Sequence, residues 1–227
     1  MLATSEVAGV KGGAMRRECL GTGEIYHVCN KSIAGFRIFN NDAEFLRIRE
    51  LMQYYQVQRQ HPSFSKFKES GIQNPNVCNN KKLVQIICHS PMPTHIHLTL
   101  KQLIDKGISI FMGNLLNSYS RYFNIKHNRK GPLWEGRFKA VLVQTDEQLL
   151  HLTRYIHLNP VTARLVDKPE DWLHSSYREY VSMNDSRDKI CQFDDLLDIC
   201  PAAYKEFTED RISYQRELAK IKNLLLD

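Results

Sequence analysis

Two short spacings along the chain bring together side chains capable of phosphate chemistry. In THIHLTL (residues 94–100), strict alternation puts His95, His97 and Thr99 on one face of an extended strand and Ile96, Leu98 and Leu100 on the other. Two residues of rise hold the imidazoles roughly 6–7 Å apart at their bases, a gap their side chains can close onto one divalent cation. Any half-exposed strand alternates polar with apolar, so the pair needs a partner before it reads as a site. LTRYIHLNP supplies one, because Tyr155 and Asn159 stand four residues apart and share a helix face. A phenol can attack phosphorus, and an amide oxygen one turn later is a hard third donor to a cation that polarises the phosphate. Plainer roles stand beside these. Tyr155 also suits an amphipathic core position, and Asn159 before Pro160 also suits the N-cap of a following helix. His151, one turn before Tyr155, is an alternative ligand or proton acceptor.

A third stretch is electrostatic. Lys and Arg total 31 against 25 for Asp and Glu, a formal charge of +6, with a pI near 9.0. That bias favours polyanionic partners only modestly, and its distribution says more. Between Arg121 and Lys139 there are six basic residues against the single acid Glu135. Within it, RKGPLWEGRFKA mixes Arg129, Lys130, Arg137 and Lys139 with Trp134 and Phe138, a combination suited to phosphate contacts and base stacking. A solvated turn held to the core by one aromatic explains the composition equally well. The six cysteines form no CxxC pair, which removes a zinc ribbon or a thioredoxin-type motif and fits reduced thiols. No apolar run approaches the ~20 residues of a membrane span, so the expectation is a soluble, cytoplasmic protein without membrane contact.

The elements that must position these residues follow from periodicity. EIYHVCN (24–30) reads as a strand, and residues 41–55 as a helix with Phe45, Ile48, Leu51 and Met52 inward and Asn41 or Asp42 as cap. Residues 56–81, with Pro62, Gly71 and Pro75, read as a loop or insertion. KLVQIICHS (82–90) and THIHLTL form an antiparallel pair around PMP. Residues 108–123 carry an apolar helix face, and 137–144 a fourth strand. Thr145 and Gln148 have capping-box spacing and start a helix predicted to run to about Leu158, where Asn159–Pro160 ends it. The order predicts an α+β fold of the ferredoxin-like, split βαβ (RNP-like) kind: an antiparallel sheet with helices on one face and an added catalytic helix. Residues 1–22 are expected to be a flexible N-terminal segment and 23–182 the catalytic domain. Residues 183–227 are expected to form a helical C-terminal appendage with DDLLDIC and YQRELAKIKNLLLD as amphipathic pieces.

Taken together, PMPTHIHLTL, YFNIKHNRKGPLWEGRFKA, LTRYIHLNPVTARLV and WLHSSYREY resemble the single-tyrosine HUH transposases, in particular the REP-associated tyrosine transposase group. The resemblance covers about Gly23 to Tyr180. It implies that His95 and His97 bind a divalent metal, Mg²⁺ or Mn²⁺, that Tyr155 is the nucleophile, and that Asn159 is the third ligand where many members carry Gln. It further implies action on single-stranded or hairpin DNA through a 5'-phosphotyrosine bond with release of a 3'-hydroxyl; the chain is expected to act as a monomer or a homodimer. Arg129, Lys130, Trp134, Arg137 and Lys139 are then the DNA-binding candidates. Two competing expectations are a domesticated DNA-binding protein of the same fold without transposition, and a metallohydrolase that uses water in place of the tyrosine.

Overall fold

A computed structural model describes residues 20–58, 64–69, 81–182 and 189–217. Four strands, β1 (Ile25–Lys31), β2 (Val84–Met92), β3 (His95–Gln102) and β4 (Lys139–Val143), form one antiparallel sheet in the order β2-β3-β1-β4. Helix α1 (Asp42–Tyr55) connects β1 towards β2, and α3 (Gly107–Lys126) connects β3 to β4. This is the ferredoxin-like α+β arrangement that the element order predicts. α1 and α3 pack against each other over one sheet face. There Val28, Ile96, Leu98 and Leu100 meet Ile48, Leu51 and Met52 of α1 and Phe111, Leu115 and Tyr119 of α3 in one buried core. Helix α4 (Asp146–Thr162) packs chiefly on β2. Consequently β2 is buried along its whole length, on both faces.

Local chemistry explains the boundaries. Thr145 Oγ1 accepts from the Gln148 amide at 3.1 Å, and the Gln148 side chain accepts from the Gln144 amide at 2.9 Å, so the capping spacing works as read. The start of α1 uses the same device: Asn41 accepts from Glu44 N–H at 3.3 Å while Glu44 accepts from Asn40 N–H at 2.7 Å. Gly107 opens α3 against the residue that leads into β2, and a Cβ there would stand 2.2 Å from the Leu83 carbonyl oxygen. No larger residue fits without moving the strand.

Three expectations change. The stretch expected to be a loop contains a short helix, α2 (Phe64–Glu69). Phe64 and Phe67 both pack on Tyr54 at ring separations of 5.1 and 4.9 Å, burial that the polar composition around them concealed. Helix α4 does not stop at Leu158 but continues through Pro160 to Thr162. Proline costs about 3 kcal/mol in a helix interior. Here Pro160 lies in the last turn, and it is buried together with Leu158 and Val161. The chain then turns at Arg164, whose φ is +56°. DDLLDIC forms a turn, closed by Leu196 and Leu197 amides on the Phe193 carbonyl at 2.9 Å each, rather than a helix. Pro201 forces the preceding Cys200 into an extended backbone, so helix α6 (Pro201–Glu209) begins only after it.

The C-terminal part is integrated into the main body. Ile190, Cys191, Phe193, Leu197 and Tyr204 belong to the same core as the sheet. The N-terminal residues 1–19 and the greater part of YQRELAKIKNLLLD, from residue 218 onward, lie outside the described residues. Among the described residues no helix is long and apolar enough to cross a membrane.

Glu44 ties the start of α1 to the end of α3. Its buried carboxylate accepts from Lys126 Nζ at 2.8 Å and contacts His127 Nε2 at 2.6 Å. Burial alone would raise its pKa, but the hydrogen bonds from Lys126, the Asn40 backbone and His127 outweigh that and hold it at about 2, against the usual 4.5. A depressed folded-state pKa contributes stability that is present above the unfolded value and lost as pH falls through the folded one. Glu44→Gln should therefore unfold at lower urea concentration than wild type at pH 7, by roughly 1–3 kcal/mol. The difference should shrink as pH falls from about 5 towards 2. A difference independent of pH over that range would assign the effect to packing instead.

Candidate active site

The site grows from the central pairing of β1 with β3. In its register Cys29 faces His97, Lys31 faces His95 and His27 faces Thr99. Opposed residues of an antiparallel pair share a face. The surface away from the α1–α3 core therefore carries His27, Cys29 and Lys31 beside His95, His97 and Thr99. On the outer side β4 brings Lys139 opposite Cys29. On the inner side β2 brings Ser90 opposite His97.

His27 is the residue that spacing alone did not reveal. Its Nε2 lies 3.0 Å from His97 Nδ1, and the two rings stack at 5.2 Å. His95 Nδ1 is engaged by Thr94 Oγ1 at 2.9 Å. Both Nδ1 atoms of the HxH pair thus have protein partners, which leaves both Nε2 atoms for a ligand, the arrangement that orients metal-binding imidazoles. Burial pushes the His95 pKa down to about 4, helped by the Lys31 charge. Burial, with the neighbouring His95, His27 and Lys31, pushes His97 to about 3. Both rings are neutral at physiological pH and offer lone pairs. The signal for His27 was its alternation in EIYHVCN, but only the inter-strand register brings it to His97.

Helix α4 lays Tyr155 over this surface. Its ring is edge-on to His97 at 6.0 Å and to His27 at 6.5 Å between centroids, and the residue is 42% exposed. Tyr155 is therefore neither a core residue nor remote from the imidazoles. The rotation of α4 is set from its other side by His157, which is fully buried. Its Nδ1 meets Tyr204 Oη at 2.7 Å, and its Nε2 meets Ser176 Oγ at 2.8 Å and Cys88 Sγ at 3.3 Å. Burial raises the Tyr155 phenol pKa, with Cys29 adding to the effect, while the Asn159 side chain opposes it.

Asn159 sits inside α4, one turn from Tyr155, so it caps no following helix. Its amide nitrogen is buried without a hydrogen-bond partner among the described residues. The unpaired atom is an N–H donor and attracts no cation itself; Asn159 would ligate through its carbonyl oxygen, which with two neutral imidazoles makes an N,N,O set of the kind that suits a divalent cation. His151 is not brought to this group: it is exposed, lies 2.7 Å from Arg154 Nη2 and 3.8 Å from Glu147, and rests on Phe207.

The basic loop is fastened to the same end of the sheet. Ile33 N–H donates to the Leu133 carbonyl at 3.0 Å and Glu135 N–H to the Lys31 carbonyl at 2.9 Å, and Lys31 is the residue opposite His95. Trp134 is half-buried, donates its indole N–H to the Leu116 carbonyl at 3.2 Å and lies 6.2 Å from the Tyr119 ring. Arg129 folds back on Asn124 Oδ1 at 3.0 Å and the Pro132 carbonyl at 2.7 Å. Lys130, Arg137 and Lys139 are exposed. Two members of the basic-aromatic group therefore brace the loop while three project from it.

Residues 59–159 match the family model for IS200-like transposases. A Haemophilus influenzae protein named as a REP-associated tyrosine transposase is 31% identical over 101 residues, which cover 40% of this chain and 57% of that relative, little more than half its length. Among solved structures, a REP-associated tyrosine transposase bound to a REP hairpin superposes with a TM-score of 0.51 at 16% identity, covering 75% of this chain and 86% of the other. A Deinococcus radiodurans protein described as a transposase aligns with a TM-score of 0.35 at 14% identity, covering 65% of this chain and 95% of its own.

The position of Asn159 separates a ligand from a structural amide. Asn159→Ala replaces a poor helix former by the best one and removes an unpaired buried group, so thermal stability should hold or rise slightly. Affinity for Mn²⁺, followed by calorimetric titration, should fall by roughly 10–100-fold. An unchanged titration would remove Asn159 from the ligand set.

Proposed function

We propose that this chain, which resembles the REP-associated tyrosine transposases in sequence and shares their fold, is a DNA strand transferase that cleaves single-stranded or hairpin DNA through Tyr155. The observation that carries this reading is the half-exposed Tyr155 phenol edge-on to a His97–His27 pair on the sheet face opposite the α1–α3 core. The hairpin in the solved relative supports hairpin DNA as the substrate class.

His95, His97 and Asn159 would hold a divalent cation, Mg²⁺ or Mn²⁺. When bound, such a cation supplies Lewis-acid polarisation of the scissile phosphate. The chain's own residues do the rest. His27 holds His97 in one tautomer and one orientation through its 3.0 Å contact. Tyr155 Oη attacks phosphorus: the Oη–P bond forms, the P–O3' bond breaks, and the departing 3'-oxygen takes up a proton to become a hydroxyl. The phenol loses its proton as the attack proceeds, because burial disfavours a preformed phenolate. The phosphodiester energy is kept in the phosphotyrosine bond, so attack by a 3'-hydroxyl reverses the step and rejoins DNA.

Lys130, Arg137 and Lys139 are positioned to contact phosphates along a strand that approaches from the His95 end of the sheet. Arg129 and Trp134 keep that loop in shape and present their exposed edges to the same strand. The neutral imidazoles and the flanking lysines together make a surface that attracts the DNA backbone without placing a proton on the ligand nitrogens.

Tyr155→Phe keeps the ring and its packing. On labelled hairpin DNA with Mn²⁺, wild type should yield a protein–DNA adduct on denaturing gels, and the variant should bind the hairpin within a few-fold of wild type yet yield none. Cleaved DNA without an adduct from wild type would indicate water as the nucleophile instead. Excess EDTA should abolish adduct formation while leaving hairpin binding, and His97→Ala should do the same. Cleavage that persists in EDTA would eliminate the metal. Lys139→Ala should weaken hairpin binding and lower the slope of log affinity against log salt by about 1, whereas an unchanged slope would place Lys139 off the DNA path.

A further inference from the structure

A second cluster of ligand-type side chains lies within the protein, apart from the Tyr155 face. His89 on β2, Glu179 on the short helix α5 (Tyr177–Tyr180) and Cys191 in the segment before α6 are 1%, 2% and 6% exposed. One donor atom from each lies within 4.8 Å of the other two. Neither ring nitrogen of His89 has a hydrogen-bond partner among the described residues, although both are buried. Its Nε2 stands 3.8 Å from a Glu179 carboxylate oxygen, too far for a hydrogen bond. A buried imidazole with no partner is destabilising unless something else occupies the space between.

The carboxylate is held in place for such a role. Glu179 Oε2 accepts from the Ile190 and Cys191 amides at 3.1 and 2.9 Å, while Oε1 is directed at His89, with Arg49 at 3.9 Å. β2 and two segments some 90 or more residues later in the chain thus converge on one point. We propose that His89, Glu179 and Cys191 form a structural site for a zinc-class cation, with a water completing the coordination. In a tetrahedral zinc site with bonds of about 2.0–2.3 Å, donors stand roughly 3.3–3.7 Å apart, so the 3.8 Å between His89 and Glu179 is already near that spacing. One thiolate and one carboxylate match the two charges of the cation, with the Arg49 guanidinium an additional positive charge 3.9 Å from the carboxylate. The thiolate selects zinc over Mg²⁺ or Mn²⁺. The site would pin the C-terminal segment to β2, next to Ser90, the residue paired with His97.

The test uses the full chain purified from zinc-replete cells and dialysed against EDTA. About one zinc per chain should remain by elemental analysis, and unfolding should release it to a chromogenic chelator. Cobalt-substituted protein should show thiolate-to-metal charge-transfer absorption that survives Cys29→Ser, on the Tyr155 face, and disappears in Cys191→Ser. His89→Gln should retain at least tenfold less zinc than wild type. Wild type that keeps no zinc overturns the proposal and leaves an ordinary buried histidine–carboxylate pair, an outcome that needs no variant to fold. Charge transfer that persists in Cys191→Ser, or is lost in Cys29→Ser, also overturns it. None of these outcomes bears on adduct formation by Tyr155.

Discussion

The pairing of β1 with β3 at the centre of the sheet is the constraint on which the rest depends. Val28 against Leu98 and Tyr26 against Leu100 bury one face under α1 and α3. Because side chains alternate, the same register puts Cys29 against His97 and His27 beside it on the opposite face. A slip by one residue would exchange the faces, driving imidazoles into the core and Val28 into the site. Core burial and site assembly are therefore one choice. A hydrophobic register that tolerates no slip also fixes the distance between three imidazoles.

Helix α4 depends on that sheet through two different kinds of contact. Its inner side carries His157, which joins Ser176, Tyr204 and Cys88 in a polar network with no solvent access. Burial holds the His157 pKa well below its usual value, with His89 contributing, so the ring serves as a neutral hydrogen-bonding bracket. Two residues earlier, on the other side of the helix, Tyr155 is half-exposed above His97. The network that anchors α4 reaches Ser176 of WLHSSYREY and Tyr204 of α6. That connection gives the segments after α4 a part in setting where the Tyr155 phenol lies. A buried, fully satisfied network is a rigid way to set helix rotation, because every alternative rotation leaves a polar group unpaired.

The charge pattern follows from the same framework. Lys31 and Lys139 flank the imidazole face because they hold register positions beside His95 and Cys29. The loop that precedes β4 is bound to the end of β1 by backbone hydrogen bonds, so its projecting Lys130 and Arg137 are kept close to that face. Arg129 and Trp134 differ from these projecting residues in having protein partners of their own. Both belong to the basic-aromatic segment, yet their polar groups are engaged by Asn124, Pro132 and Leu116.

Local rules determined a good deal of this protein. Alternation in THIHLTL, the capping pairs at Asn41 and Thr145, and the apolar face of α3 follow from neighbours within a few residues, so the four strands, the main helices and their order were legible in the sequence. The HxH and Tyr–Asn spacings were legible for the same reason, since each lies within one element. Tertiary structure decided what depends on partners distant in the chain. His27 joined His97 across 70 residues only through strand register. Helix α4 ran through Pro160 because burial of Leu158, Pro160 and Val161 outweighed a local penalty. Ile190, Cys191, Phe193, Leu197 and Tyr204 share the core of the sheet, a placement that depends on which distant elements their apolar side chains meet. Periodicity records which face of an element is apolar, but it carries no information about which other element covers that face, and the convergence of His89, Glu179 and Cys191 was beyond its reach for that reason.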